Sequence, residues 1–153
     1  NKVQTRIQQE GKKRELVISL LSDKQLYDSG SADLKPETER ILDEVYLQLK
    51  TRQNEVRVEG NTDNVPIANA QFPSNWELSA ARATGVARYL VEHDGLAPRR
   101  ISALGYGEYR PRVPNDTDAH RAENRRVDVV ILDTDQATAA QAAAEAAAAG
   151  GGP

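Results

Sequence analysis

The chain has 153 residues and a formal net charge of −3, a size that suits one domain with its own hydrophobic core. Its 20 basic residues are scattered, so nothing indicates a surface for nucleic acid, and no nucleic-acid partner is predicted. The absence of cysteine excludes disulfides, thiolate metal sites and cysteine nucleophiles.

The apolar runs at 15–21 and 127–132 are the size of strands and much shorter than the ~20 residues that span a bilayer. The sequence contains no methionine, and its first residues lack a signal-peptide pattern. We therefore expect a piece of a longer protein, with any membrane anchor outside this sequence.

The polar residues 1–13 are expected to be a linker or lead-in. From Arg14 the apolar pattern predicts a first strand. Turn-forming residues then precede a helix with Pro36 in its first turn, and apolar residues from Ile41 to Leu49 recur at helical spacing. This helix is predicted to pack one face on a sheet.

Further strands are predicted at 55–59, 101–106 and 127–132, and further helices from Asn75, the predicted N-cap, to about Gly95 and at 117–124. The predicted fold class is α/β, an α+β sandwich in the order β-α-β-α-β-(α)-β, with helices on a mixed four-stranded sheet. The domain is placed at 14–133. The Ala/Gly-rich tail at 134–153 is predicted to be disordered.

The connection between the second strand and the second helix is the strongest indication of function. It has about a dozen residues, where such connections usually take ~2–6. Asp63 lies just past the strand, and Arg82 lies about two turns into the helix, on the face of Asn75. A carboxylate and a guanidinium held apart can bind a zwitterion such as an amino-acid head group. The alternative is a structural salt bridge between Asp63 and Arg82, and the spacing leaves both interpretations open.

Other motifs have structural interpretations. Gly105 and Gly107 are expected to form a tight turn after a strand, because the third glycine of a phosphate loop is missing. His93 and His120 are expected at the surface without a second ligand at metal spacing, so neither a metal site nor a cofactor is predicted.

The arginines at the start of the last strand, Arg125 and Arg126, are either solvated charge or extra anion contacts near Arg82. Serines such as Ser74 and Ser79 have no histidine placed beside them by a recognisable motif. The sequence therefore predicts no catalytic activity.

Three motifs in order resemble the OmpA-like peptidoglycan-binding domain. They are GNTD at the end of a strand, NWELSAARA at the start of a helix, and NRRV at the start of the last strand. Together with LYDSGSADL, FPSNWELS and GYGEYRP, the pattern is most similar to MotB-type subunits of the flagellar stator. Type VI secretion anchors of the same superfamily share the FPSNWELS-like insert. The resemblance spans roughly residues 14–132.

The resemblance implies non-catalytic binding of peptidoglycan through the diaminopimelate of its stem peptide. The family's aspartate, arginine and asparagine for this ligand match Asp63, Arg82 and Asn75. The resemblance also implies that Thr62, Leu78, Arg125 and Arg126 line or support the pocket, with a weaker match at Ser31. One departure is Asn61, where the family usually has histidine; its amide can imitate one ring nitrogen in a local hydrogen bond.

The resemblance to MotB-type subunits also implies a homodimer, a periplasmic location, a missing N-terminal membrane helix and a MotA-type channel subunit as partner. The alternatives are an envelope tether of the Pal kind or a type VI secretion anchor. A wall-peptide-processing enzyme is a further alternative, which would need a nucleophile or a metal.

Overall fold

The computed structural model describes residues 3–10, 13–21 and 26–132. In chain order its elements are β1 (Val3–Glu10), β2 (Lys13–Leu21), α1 (Pro36–Leu49), β3 (Val56–Asn61), α2 (Asn75–Glu92), a 3₁₀ turn (Pro98–Arg100), β4 (Ile101–Gly105), α3 (Asp118–Asn124) and β5 (Arg126–Leu132). None of the described helices is both long enough and apolar enough to cross a bilayer.

The strands form one mixed sheet in the order β1-β2-β5-β3-β4. β3 and β4 are parallel, because the crossover through α2 returns the chain in the same direction. The other pairs are antiparallel, with Leu20 opposite Val127 and Val58 opposite Val129. The predicted α/β class is confirmed.

The strand count was wrong, because the sheet has five strands rather than four. The segment expected to be a polar lead-in contains β1, which pairs antiparallel with β2 and places Thr5 opposite Ile18. β1 is an edge strand whose ladder is supplied by one neighbour, so it needs few apolar residues, and Ile7 is 60% exposed. The predicted tail at 134–153 lies outside the described residues.

The core lies between the sheet and the helices. α1 buries Leu42, Val45 and Leu49 along one face, as its spacing predicts. α2 buries a longer face that is apolar in its later turns, at Val86 and Leu90, and polar in its first turns. The polar part of this face lies at the candidate site.

Two glycines bring α2 against the sheet. Gly60 and Gly105 are opposite each other on β3 and β4. A Cβ at Gly60 would lie 2.0 Å from the Ser79 carbonyl oxygen, and one at Gly105 would lie 2.4 Å from the Ala80 nitrogen. The prediction of a tight turn holds at Gly107, whose φ is 63°, whereas Gly105 ends β4 and serves the close helix contact. The start of α2 is thus fixed over the ends of β3 and β4.

Candidate functional site

The start of α2 is built differently from the prediction. Ser74 is the N-cap: its side chain accepts from the Trp76 N–H at 3.2 Å, and its hydroxyl also contacts Glu77. Asn75 is the first helical residue, and the prediction that it is the N-cap was wrong. Its side-chain amide is free to donate to the carbonyls of Asp63, at 3.4 Å, and Val65, at 3.1 Å. Asn75 therefore ties the loop after β3 to the helix.

Asp63 lies two residues after the end of β3 and is only 6% exposed. Its Oδ1 accepts the Val65 N–H at 3.0 Å, which closes a local turn. Its Oδ2 accepts from Arg125 Nη1 at 2.6 Å. The preceding residue is also fixed, because the Thr62 N–H donates to the Gly107 carbonyl at 2.9 Å. The carboxylate is therefore held in place before any ligand arrives.

Arg82 is 5% exposed and holds the loop after β2. Its Nε donates to the Ser31 carbonyl at 2.8 Å, and its Nη2 donates to the Asp28 carbonyl at 3.2 Å. The guanidinium carbon lies 4.5 Å from the centroid of the Tyr27 ring. Burial lowers the pKa of Arg82, while Tyr27 opposes this shift, yet an arginine stays charged in a protein.

Asp63 and Arg82 do not form the internal salt bridge that the spacing left open. Asp63 pairs with Arg125. Within the described part of the chain, no carboxylate lies within salt-bridge distance of Arg82, whose observed hydrogen bonds go to two backbone carbonyls. The Asp63 carboxylate and the Arg82 guanidinium are therefore not paired with each other.

Both groups line one pocket of about 490 Å³. The structure brings together six predicted residues there: Thr62, Asp63, Asn75, Leu78, Arg82 and Arg125. Sequence reasoning assigned no role to the others, which are Tyr27, Ser29, Gly30, Val65, Pro66 and Ile67. The signal for the first three was the LYDSGSADL motif, and the signal for the last three was the length of the loop after β3.

The pocket can bind two opposite charges at once. Asp63 offers a buried carboxylate, and Arg82 offers a guanidinium that two carbonyls and a ring orient. Arg125 adds a second guanidinium, on a side chain 39% exposed. With two guanidiniums and one carboxylate, the charged lining is net positive, which suits a ligand with more carboxylate than ammonium groups.

Comparison with known proteins identifies the fold family. The profile of the OmpA family matches residues 26–125. The chain belongs to the OmpA family. The resemblance expected from the motifs is therefore confirmed.

Two relatives in Bacillus subtilis represent this OmpA-family similarity. YtxE is 41% identical over 115 residues, covering 75% of this chain and 48% of YtxE. Motility protein B is 36% identical over 134 residues, covering 86% of this chain and 49% of that protein. The chain thus spans about half the length of these relatives.

Two solved structures share the OmpA-family architecture. The cell wall anchor of the type VI secretion system from Pseudomonas aeruginosa has a TM-score of 0.75 and 32% identity, with coverage of 86% of this chain and 87% of that chain. A MotB-like protein from Desulfovibrio vulgaris has a TM-score of 0.75 and 35% identity, with coverage of 86% and 78%. The similarity therefore includes both the motility and the secretion proteins.

Two predicted site residues, Ser31 and Arg126, are absent from the lining of the pocket. Ser31 contacts the site through its carbonyl, which accepts from Arg82 Nε, whereas Arg126 lies elsewhere. Neighbouring side chains in extended backbone point to opposite sides, so Arg125 and Arg126 diverge. Arg126 donates to Asp128 at 3.0 Å and to the Asn124 carbonyl at 3.2 Å. Asp128 also accepts from Ser19 at 2.5 Å. Through Asp128, Arg126 thus joins a hydrogen-bonded link from β5 to β2, and its Nη2 also donates to the Arg110 carbonyl at 3.4 Å.

Asn61, where the family usually has histidine, is 3% exposed at the end of β3. Neither atom of its side-chain amide has a hydrogen-bond partner in the described part of the chain. The local hydrogen bond expected from an imitated imidazole nitrogen is absent there. Asn61 is also absent from the residues that line the pocket.

Proposed function

We propose that this chain binds peptidoglycan without catalysis and serves as a cell-wall anchor, with the diaminopimelate of the stem peptide in the pocket. The observation that carries the proposal is that Asp63 and Arg82 are both nearly buried in one pocket wall and are not paired with each other. The free end of a diaminopimelate side chain carries an ammonium and a carboxylate, which match these two groups.

The ammonium is assigned to Asp63 and the carboxylate to Arg82. Asp63 Oδ2 already accepts from Arg125, whose side chain is partly exposed and can move. An entering ammonium therefore shares Asp63 with Arg125 or displaces it. A displaced Arg125 remains beside the pocket, where it can pair with a second carboxylate of the stem peptide.

The hydroxyl groups of the pocket do not suggest catalysis. Tyr27, Ser29 and Thr62 carry hydroxyls in its lining, but none of the described lining residues is a histidine or a lysine. The one carboxylate among these described residues, Asp63, hydrogen-bonds to Arg125 and to the Val65 N–H. Binding alone fits the chemistry of this lining. Release of fragments from muropeptides, lost on changing Asp63, would instead establish an enzyme.

We propose a flagellar stator as the assembly that this domain anchors, because the chain resembles Motility protein B over 86% of its length. The partner would be a MotA-type channel subunit, and the domain would lie in the periplasm. A type VI secretion anchor is the second candidate, favoured by the P. aeruginosa structure. A channel-subunit gene beside this one would support the stator, and neighbouring secretion genes would support the second candidate.

We further propose that the anchor acts as a homodimer. A few charge-assisted hydrogen bonds, each contributing ~1.5–3 kcal/mol, give a weak single site. A second site on the same polymeric wall binds at high effective concentration and can raise avidity by ~10²–10⁴. Two attachment points also resist rotation about either one.

The test is co-sedimentation with purified sacculi that contain diaminopimelate. Loss of one charge-assisted contact of ~1.5–3 kcal/mol predicts at least tenfold weaker binding for Asp63→Ala and Arg82→Ala. The two matched controls are Asp118→Ala in α3 and Arg88→Ala in α2, which change exposed charged side chains. Both control variants should bind sacculi like the wild type.

Sacculi with lysine in place of diaminopimelate should bind less, because the distal carboxylate assigned to Arg82 is missing. Undiminished binding by both Asp63→Ala and Arg82→Ala would remove the site assignment. Equal binding to both kinds of sacculi would remove the assignment of the carboxylate.

A further inference from the structure

A second cluster of polar groups lies at the other end of α2 from the pocket. Asp43 of α1 meets His93 and Asp94, which follow α2, and one ligand atom from each lies within 4.8 Å of the other two. His93 Nδ1 is 3.5 Å from Asp43 Oδ1 and 3.1 Å from Asp94 Oδ1. Asp43 and His93 are far apart in sequence, so no local spacing indicates this cluster.

We propose that Asp43, His93 and Asp94 bind a divalent transition-metal ion of the Zn²⁺ class. One imidazole nitrogen and two carboxylate oxygens are ligands that Zn²⁺ accepts, whereas Mg²⁺ and Ca²⁺ prefer oxygen alone. Ligands at ~2.0–2.2 Å in a tetrahedral site are roughly 3.4 Å apart. The observed separations of 3.1 and 3.5 Å are close to that value.

Asp94 provides an independent indication of a ligand. Its side chain is only 9% exposed, and its Oδ2 has no hydrogen-bond partner in the described part of the chain. A buried carboxylate oxygen without a partner is costly unless a proton or a cation satisfies it.

Tyr89 orients two of the three ligands. Its hydroxyl donates to Asp43 Oδ1 at 3.0 Å, and its ring stacks on His93 with centroids 4.5 Å apart. Outer partners of this kind fix ligands in metal sites. The C-terminal end of α2 adds partial negative charge from its last carbonyls, which also favours a cation.

A bound ion would join α1 to the end of α2 and stabilise the domain without touching the pocket. This inference does not depend on the proposed function. The competing occupant is a proton shared by Asp43 and Asp94. Zinc titration separates the two, because only the ion predicts saturable metal binding.

The experiment uses the untagged 153-residue chain after removal of metal. Isothermal titration with ZnCl₂ should show saturation at about one ion per chain, the stoichiometry expected for a single three-ligand site. Thermal unfolding should show a higher Tm with Zn²⁺, because the ion binds only the folded site. Mg²⁺ in excess should change neither result.

His93→Ala and Asp94→Asn should each weaken zinc binding by at least ~10-fold, since each removes a direct ligand. The matched control is His120→Ala, because His120 also contacts an aspartate, Asp116, but lies outside the cluster. Circular dichroism and Tm without metal establish that each variant is folded. Zinc binding that is absent from the wild type, or that His120→Ala reduces as much as His93→Ala does, overturns the proposal.

Discussion

Arg82 holds the loop after β2, and the proposed function adds the binding of a carboxylate. The changes Arg82→Lys and Asp63→Asn together distinguish a charge that stabilises the fold from one that mainly binds the proposed ligand. Lysine keeps the positive charge but loses the planar fork that reaches the carbonyls of Ser31 and Asp28 together. The Asp28 carbonyl also accepts the Ser31 N–H at 3.1 Å, so it keeps a partner. Loss of one charge-assisted bond predicts a decrease of about 2 kcal/mol in the free energy of unfolding.

Asp63→Asn should change the stability of the fold little and the binding to sacculi more. An amide oxygen still accepts the Val65 N–H, and the lost ion pair has a partly exposed partner, worth less than ~1 kcal/mol. Its main effect should be weaker binding to sacculi. Both variants should bind at least ~10-fold more weakly, whereas only Arg82→Lys loses much stability.

Urea denaturation followed by circular dichroism measures the stability difference, and co-sedimentation measures binding. An Arg82→Lys variant as stable as the wild type would show that the two carbonyl contacts do not hold the loop after β2. An Asp63→Asn variant that loses as much stability as Arg82→Lys would refute the division between a structural and a ligand-binding charge.

Two further predictions concern packing around the site. Gly105→Ala should destabilise the domain by ~1–3 kcal/mol, because its Cβ would meet the α2 backbone. Gly85→Ala should be neutral or stabilising, because the nearest atom to its Cβ is 3.8 Å away. Thermal unfolding compares the two variants, and a Gly105→Ala variant as stable as Gly85→Ala would contradict the close contact. Asn61→Ala should change the free energy of unfolding by less than ~1 kcal/mol, because no hydrogen bond is lost. Asn124→Ala should lower the free energy of unfolding by at least ~2 kcal/mol more than Asn61→Ala does, because the Asn124 side chain accepts two backbone N–H groups. Urea denaturation measures both losses, and equal losses for the two variants would contradict this account.

The sequence predicted what local pattern encodes. The amphipathic faces of α1 and α2 follow from helical spacing. The long loop after β3 indicated Asp63 and Arg82 as candidates but left open whether they pair with each other. The ion pair of Asp63 with Arg125 joins residues 62 positions apart, and the competing pair with Arg82 had the same chemistry. Spacing cannot choose between two arginines, since the choice depends on where β5 begins beside β3.

The features that sequence reasoning missed depend on hydrogen-bond partners outside the segment itself. β1 is a strand because β2 supplies its hydrogen bonds, so its polar composition carries little signal. The N-cap of α2 is a second example. Serine and asparagine cap helices almost equally well, so which of them caps α2 depends on the other groups that each side chain can reach. Asn75 reaches two carbonyls of the loop after β3, and Ser74 is left to cap the helix.

Because Ser74 caps α2, the Asn75 side chain is available to hold the long loop after β3 as a wall of the pocket. A loop of this length gains backbone entropy when it is free, and ordering it for a ligand would weaken binding. Asn75 holds the loop from the helix side, and the Asp63 carboxylate holds it through the Val65 N–H. The entropy cost is therefore met during folding, so the charged groups would meet the proposed ligand already in position.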